Sequence, residues 1–389
     1  MPSSLVEVQA PASLETTAPQ DPSPPAEHES MTEMSTTTIP TSMPGVRLPG
    51  DSTVEHVTLP VPEPGPGQVL LRMRASSICG SDIRAIYREH LGHGAEAYQG
   101  VVGGHEPCGD VALLGQGVVD LAVGDRVVVY HIAGCQRCDE CRRGYPIGCT
   151  SAQRAAHGWQ RDGGHADYML ADAVSCLPLP DSLTHVDGAL VSCGFGTAYE
   201  GLLRGRVSGR DRLLVTGLGP VGLAAAMLGR HLGATTVIGS DPSPERAALA
   251  LELGLVDAAI TDASTLDDVV AEHTGGHGVE VSIDCSGHPD ARHAALRSTA
   301  VRGRCVFVGE GGTVDFAVSD LMIHKQLEVH GSWVTSLHHM AELLTLLDRW
   351  GEHPERVVTD RLPLAQADRA YELAAAGAAG KVVITWDER

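Results

Sequence analysis

Two cysteines, a histidine and a knot of four further cysteines carry the metal chemistry open to this chain. Cys79-Gly80-Ser81-Asp82 and Gly103-Gly104-His105-Glu106 supply a thiolate and an imidazole. Held in one fold, such a pair can grip Zn²⁺ and leave positions open for a reacting oxygen. Taken alone, the two residues read equally as ordinary buried side chains. Cys193, within Ser192-Cys193-Gly194-Phe195-Gly196-Thr197-Ala198, is a candidate third ligand. By itself it also reads as a small buried hydrophobe at a helix start.

The most specific motif is Cys135-x2-Cys138-x2-Cys141-x7-Cys149. Four thiolates this close suit a closed tetrahedral zinc site, structural because no coordination position stays open. Gly, Gln, Arg, Asp, Glu and Pro fill the intervals, so the loop has almost no core and a metal would order it. An iron–sulfur cluster and free surface thiols are the rival readings. The separate Cys79/His105 pair favours zinc.

A second kind of site follows. Arg212 to Thr216 reads as a strand, and Gly217-Leu218-Gly219-Pro220-Val221-Gly222 is a GxGxxG turn. Leu223 to Leu232 is an apolar helix, and Thr236 to Gly239 a strand ending at Asp241. In this order the motif predicts a dinucleotide site, with backbone approaching a pyrophosphate at the helix N-terminus. Asp241, 19 residues beyond Gly222, would take both ribose hydroxyls and repel a 2′-phosphate. NAD is therefore expected rather than NADP, unless the nearby Arg246 overrides the carboxylate.

The elements that must position these residues fall into two kinds. Val54 to Thr58, Gln68 to Ala75, Cys108 to Leu114 and Arg126 to Tyr130 read as short strands of a barrel or partly open barrel. Val69, Leu71 and Met73 alternate with Leu70, Arg72 and Arg74, as in a half-buried strand. After a strand ending near Pro178, Asp181 and Ser182 begin a helix-like segment. Beyond Gly222, strands at Val279–Asp284, Cys305–Gly309 and Leu327–Gly331 extend the alternation to a six-stranded, doubly wound parallel sheet. Met340 to Trp350 reads as an amphipathic helix. The Arg369–Ala375 helix and the Lys381–Thr385 strand should return to the first domain.

At 389 residues the chain has room for two domains and a large core. Hydrophobic content of 43% with 20% charged residues is that of a soluble globular protein. A formal charge of −21 argues against nucleic-acid binding, which needs a basic face. It leaves an anionic substrate open, since a local basic pocket can sit on an acidic protein. Ten cysteines with no secretory leader point to thiols and metal, and to the cytoplasm. No run approaches the roughly 18 apolar residues of a membrane span. Residues 1–42, rich in Ser, Thr, Pro and Glu without Lys or Arg, are expected to form a disordered tail.

Together these motifs resemble a zinc-dependent medium-chain dehydrogenase of the alcohol, polyol and threonine dehydrogenase type, over residues 44 to 389. The resemblance implies an α/β chain: a tail at 1–42, a GroES-like β-barrel catalytic domain at 43–194, a Rossmann domain at 195–334, and a segment at 335–389 returning to the first. It implies two zinc ions per chain, NAD, a small-molecule substrate, no membrane, and a homodimer or homotetramer. Cys₂His is the known catalytic set of alcohol dehydrogenase; Cys79, His105 and Cys193 match it. Cys135, Cys138, Cys141 and Cys149 match the structural site. Asp82 matches the carboxylate that orients the zinc histidine, Glu106 the near-zinc glutamate, and Ser81 the proton-relay hydroxyl. Gly217, Gly219, Pro220, Val221, Gly222 and Asp241 match the cofactor turn.

Two features depart from the pattern. Arg84 stands where the family's CGxDxH form ends its relay in His, and Arg cannot serve as a base at neutral pH. The relay should then end in water, a ribose hydroxyl, His90 or His93, or Arg84 should grip a cofactor phosphate. The Cys79–His105 loop is long, as in polyol and threonine enzymes, yet Cys193 sits in an alcohol-dehydrogenase context. The mechanism expected is Lewis-acid activation of an alcohol, proton removal through Ser81 and hydride transfer to NAD⁺. A redox-neutral epimerase or eliminase using bound NAD, a simple-alcohol dehydrogenase and a non-catalytic relative are the alternatives. With 4% aromatics, an aromatic pocket for long apolar alcohols is not expected. Arg84, Tyr87, Arg88, His90, His93, Glu96, Tyr98 and Gln99 read either as a solvated loop or as donors to a hydroxyl-rich or anionic secondary alcohol, such as a polyol, sugar or cyclitol.

Overall fold

Two sheets of different construction share the chain. The computed structural model describes residues 39–387. The expected tail lies outside them up to residue 38. Ser42, its last residue, already belongs to a strand, Ser42–Arg47, paired antiparallel with Glu55–Pro60.

The first sheet runs in the order Val358–Pro363, Lys381–Thr385, Gln68–Ser77, Glu106–Leu114, Arg126–Val129 and Cys176–Pro178. Tyr168–Asp172 also pairs with Gln68–Ser77. Leu70, expected on the exposed face with Arg72 and Arg74, is fully buried beside Val69 and Leu71. The strand is central rather than half-exposed, and helix His185–Leu190 packs on it. That helix starts later than Asp181. Thr184 and Asp187 form the capping box that fixes its first turn, the Thr184 hydroxyl accepting from the Asp187 amide. Lys381–Thr385 runs antiparallel to Gln68–Ser77, so the last strand of the chain lies beside the strand that leads to Cys79.

The second sheet is six-stranded and wholly parallel, in the order Ala258–Ile260, Thr236–Ser240, Arg212–Thr216, Val279–Asp284, Thr299–Phe307 and Glu328–Gly331. The strand order reverses beside Arg212–Thr216, where an open α/β sheet binds ligands. The helix after this strand spans Pro220–His231, three residues earlier than its apolar run suggests, because Pro220 takes its first position. Gly222 is fixed by space: a Cβ there would stand 1.8 Å from the Gly217 carbonyl oxygen. Gly217 has φ +87°, a conformation glycine adopts without strain. The Leu337–Trp350 helix begins on a Ser336 cap and stops at Gly351, φ +63°. Among the described residues no helix is long and apolar enough to cross a membrane.

Candidate active site

Each metal-ligand candidate sits where regular structure breaks. Cys79 ends the run from Gln68–Ser77 and caps a short helix, Gly80–Asp82. The helix continues as a widened turn in which the Arg88 amide bonds the Ile83 carbonyl at 3.1 Å. Cys193 lies in a second widened turn, Val191–Phe195. Such turns recur at functional sites because they displace side chains from helical register. His105 immediately precedes the Glu106–Leu114 strand.

These breaks converge. Donor atoms of Cys79, His105, Glu106 and Cys193 all lie within 4.8 Å of one another. Asp82 does two jobs: one carboxylate oxygen accepts the Cys79 amide at 2.9 Å, the other meets His105 Nδ1 at 2.7 Å. Nδ1 is thereby the protonated nitrogen, and Nε2 is left as the ligand atom. The Cys79 thiol is held well below its ordinary value, first by its bond to Cys193 and also by His105 and Lys381. A thiolate beside an imidazole and a second thiol is the donor set of an open zinc site.

Glu106, the fourth member of this cluster, is fully buried and engaged by three partners. Lys381 Nζ lies 2.6 Å from Oε2, the Ser77 hydroxyl donates to the same oxygen, and the Gly194 amide donates to Oε1 at 3.2 Å. Burial pushes the Glu106 carboxyl up against the pull of Lys381. Burial alone would lower the Lys381 ammonium, but Glu106, with Cys79, outweighs it and raises it. Lys381 reads in the sequence only as the head of an apolar strand; the cationic start of Val382-Val383-Ile384 is the one signal it gives.

The sulfur atoms of Cys135, Cys138, Cys141 and Cys149 also lie within 4.8 Å of one another. The Cys138 amide donates to Cys135 Sγ at 3.3 Å and the Cys135 amide to Cys149 Sγ at 3.4 Å. Backbone amides of Cys141 and Thr150 pull the Cys138 thiol down to about 6, whereas burial pushes Cys141 up to about 12. Amide-stabilised thiolates at this spacing fit a closed four-sulfur zinc site.

Asp241 is buried at the end of the Thr236–Ser240 strand and ties the turn together. It accepts the Leu218 amide at 2.8 Å and the Ser243 amide at 2.9 Å. Arg246 Nη1 stands 3.6 Å from it. Between this turn and the Cys79 cluster lies a cavity of about 480 Å³. Its walls include Ser81, Cys79, His105 and Cys193 on one side, and Val221, Ser286 and Gly309 on the other.

The long loop is mostly structural. Tyr87 and Tyr98 are buried, Arg88 donates to the Ala375 carbonyl, His90 to the Leu48 carbonyl at 2.8 Å, and Gln99 to two carbonyls of its own loop. Of the eight polar candidates only Arg84 and Glu96 line the cavity. His90 and His93 do not, and His90 is taken up by the Leu48 carbonyl. Arg84 donates to the Glu310 carbonyl at 2.6 Å and to its carboxylate at 2.7 Å, across the cleft. Residues unmarked in the sequence complete the wall: His131, Arg154, Trp159, Gln160 and Trp333. His131 donates from Nδ1 to the Ser192 carbonyl at 3.0 Å, and burial, then His105, lowers it to about 3, so it is neutral. Two of the four tryptophans thus line the cavity, among mostly non-aromatic neighbours. Low aromatic content does not say where the few rings go.

Known proteins carry the same architecture. The family model for the alcohol dehydrogenase GroES-like domain matches residues 65–181, and that for zinc-binding dehydrogenase residues 220–349. The chain is 50% identical to the zinc-type alcohol dehydrogenase-like protein YphC of Escherichia coli K12, over 88% of this chain and 98% of that one. Among solved structures it is similar to a zinc-binding dehydrogenase of Sinorhizobium meliloti 1021 bound to NADP, at 28% identity and TM-score 0.79, covering 89% of this chain and 100% of that one. It is also similar to an alcohol dehydrogenase of Escherichia coli CFT073 complexed with NADH, at 26% identity and TM-score 0.80, with the same coverage. The chain therefore belongs to the zinc-dependent medium-chain dehydrogenases, an oxidoreductase family of the zinc-type alcohol dehydrogenase class.

Proposed function

We propose that this enzyme oxidises a secondary alcohol, a polyol, sugar or cyclitol, to a ketone with NAD⁺, or runs the reverse reduction. The observation that carries this is the shared cavity: the Cys79, His105 and Cys193 donors and the parallel sheet's ligand edge open into the same space. Cys79, His105 and Cys193 would hold one zinc, and Cys135, Cys138, Cys141 and Cys149 a second. When bound, zinc at the first set would supply Lewis acidity to an alcohol oxygen, and a dinucleotide whose pyrophosphate lay at the glycine turn would supply the hydride acceptor. Ser81, on the cavity wall, carries the alcohol proton outward. Asp82 fixes the tautomer and orientation of His105. Lys381 restrains Glu106. Arg84, committed to Glu310, is no base, so the proton leaves through water or a cofactor ribose hydroxyl. Asp241 supports NAD over NADP, and Arg246 beside it, or another basic residue nearby, would oppose that preference.

The test is a panel of alcohols with NAD⁺ and NADP⁺, read as reduced-cofactor absorbance, beside metal analysis. Two zinc ions per chain and faster turnover with NAD⁺ are expected. One zinc, with Cys193→Ser still active, would overturn the ligand assignment. Cofactor that stays bound through purification, with no net NADH, would instead indicate the redox-neutral reaction.

A further inference from the structure

Four charged side chains line the cavity wall outside the metal cluster: Arg84, Glu96, Arg154 and Glu310. They form two pairs. Arg84 is held by Glu310 as described. Arg154 Nη2 reaches both carboxylate oxygens of Glu96, at 2.5 and 2.6 Å. Gln160 braces this second pair, donating to the Glu96 carbonyl at 3.2 Å while its own oxygen accepts the Ala156 amide at 2.8 Å. Arg154 Nε and Nη1 make no hydrogen bond to the described residues, so one edge of its fork is oriented and the other is free. Trp159 and Trp333 line the same space.

The charges decide the substrate. A phosphate carries about −1.5 to −2 at neutral pH and is recognised by uncommitted guanidinium forks. Here each arginine already carries a carboxylate, and a phosphate on the free edge of Arg154 would sit beside the Glu96 charge, which opposes it. A neutral diol meets no such conflict: the free guanidinium edge donates to one hydroxyl and the carboxylate accepts from its neighbour. Trp159 and Trp333 on the same wall supply apolar ring surface that a C–H face could cover.

We infer that the Arg154–Glu96 pair is a specificity device that selects neutral, ring-bearing polyols and rejects their phosphorylated counterparts. This rests on the dehydrogenase reading above. Glu96 acts as a built-in competitor for Arg154, and removing its charge should turn Arg154 into an anion site.

The experiment compares the wild type with Glu96→Gln and Arg154→Met on myo-inositol and D-glucose, on myo-inositol 1-phosphate and D-glucose 6-phosphate, and on L-threonine. Turnover is read as kcat/KM, and binding to the zinc-loaded, NADH-bound protein by calorimetry. The wild type should favour the neutral polyols by about tenfold or more. Glu96→Gln should move the phosphorylated-to-neutral ratio about tenfold toward the phosphates, and Arg154→Met should abolish that gain when added to it. A ratio unmoved by Glu96→Gln overturns the proposal, as does a wild type that prefers a phosphate or the threonine zwitterion. If no alcohol is oxidised, the dehydrogenase reading fails by itself. The calorimetric ratio then still decides the pair, because binding needs no hydride transfer.

Discussion

Lys381 sets the charge balance of the metal pocket. It and Glu106 are 3% and 0% exposed, so neither charge has water to fall back on. Removing one partner of such a pair leaves a buried, uncompensated ion, at about 3–5 kcal/mol. Lys381→Met should therefore lower the melting temperature by roughly 5 °C, at about 1.2 °C per kcal/mol for 389 residues that each carry an unfolding entropy of about 2.1 cal/mol/K. Adding Glu106→Gln should recover most of the loss, because the stranded carboxylate is gone. Thermal melts of the two singles and the double check this; a double mutant as unstable as Lys381→Met would show that the two are not coupled. Asp241 is the other residue with a separable role. Asp241→Ala should narrow the gap between NAD⁺ and NADP⁺ in kcat/KM. It should also loosen the turn, since the Leu218 and Ser243 amides lose their acceptor.

The four-cysteine loop is an element without a core. Cys135, Cys138 and Cys141 are only half-buried, and Ile147 is its one apolar contact with the main core. Its other anchors are polar: Tyr145 donates to Glu200 at 2.9 Å, and the Gly144 carbonyl accepts the Leu337 amide at 2.7 Å. Metal ligation would supply the order that packing does not. Cys138→Ser should lower zinc from two to one per chain and open the 135–149 segment to protease while the rest resists. Zinc analysis and limited proteolysis would show it. Equal resistance of mutant and wild type would mean that the polar anchors suffice. The Gly80–Asp82 turn is the contrasting case: Asp82 holds it by hydrogen bonds alone, so it should keep its form when metal is stripped.

At the scale of the molecule, acid stability follows from partnered carboxylates. Burial alone would raise Asp110, Asp172, Glu280 and Glu352, but their partners outweigh it and lower all four. Those partners are His185 and Arg74 for Asp110, Arg161 for Asp172, Arg212 for Glu280, and Arg356 and His231 for Glu352. A carboxyl whose folded value is depressed contributes stability that is fully present above its unfolded value, about 4. That stability is lost as pH falls through the folded value. The melting temperature should therefore drop steeply below about pH 4. Glu280→Gln should shrink the drop, having nothing left to titrate. A melting curve that declines equally in both would place the acid sensitivity elsewhere.

The two donor clusters, the glycine turn and the alternation of strand and helix were legible because each is a local pattern: a spacing, a turn that needs glycine, a run of apolar residues. Even the convergence of Cys79, His105 and Cys193 was implied by resemblance before any coordinate. Ser81, Arg84 and Glu96 were named in advance; the other wall residues and the ion partners were not legible, since nothing local marks them. Lys381 meets Glu106 only because the last strand pairs beside Gln68–Ser77. Arg154 meets Glu96 across 58 positions of chain, and Arg84 meets Glu310 across 226. A charge run in sequence cannot say whether it faces solvent, caps a carbonyl or lines a cavity, and most of the polar loop did the second. The sequence by itself determined which chemistry this protein can perform. The tertiary structure decided which charges are already spent on one another, and so what kind of molecule is left to meet them, because electrostatic partnership depends on distance in space and not along the chain.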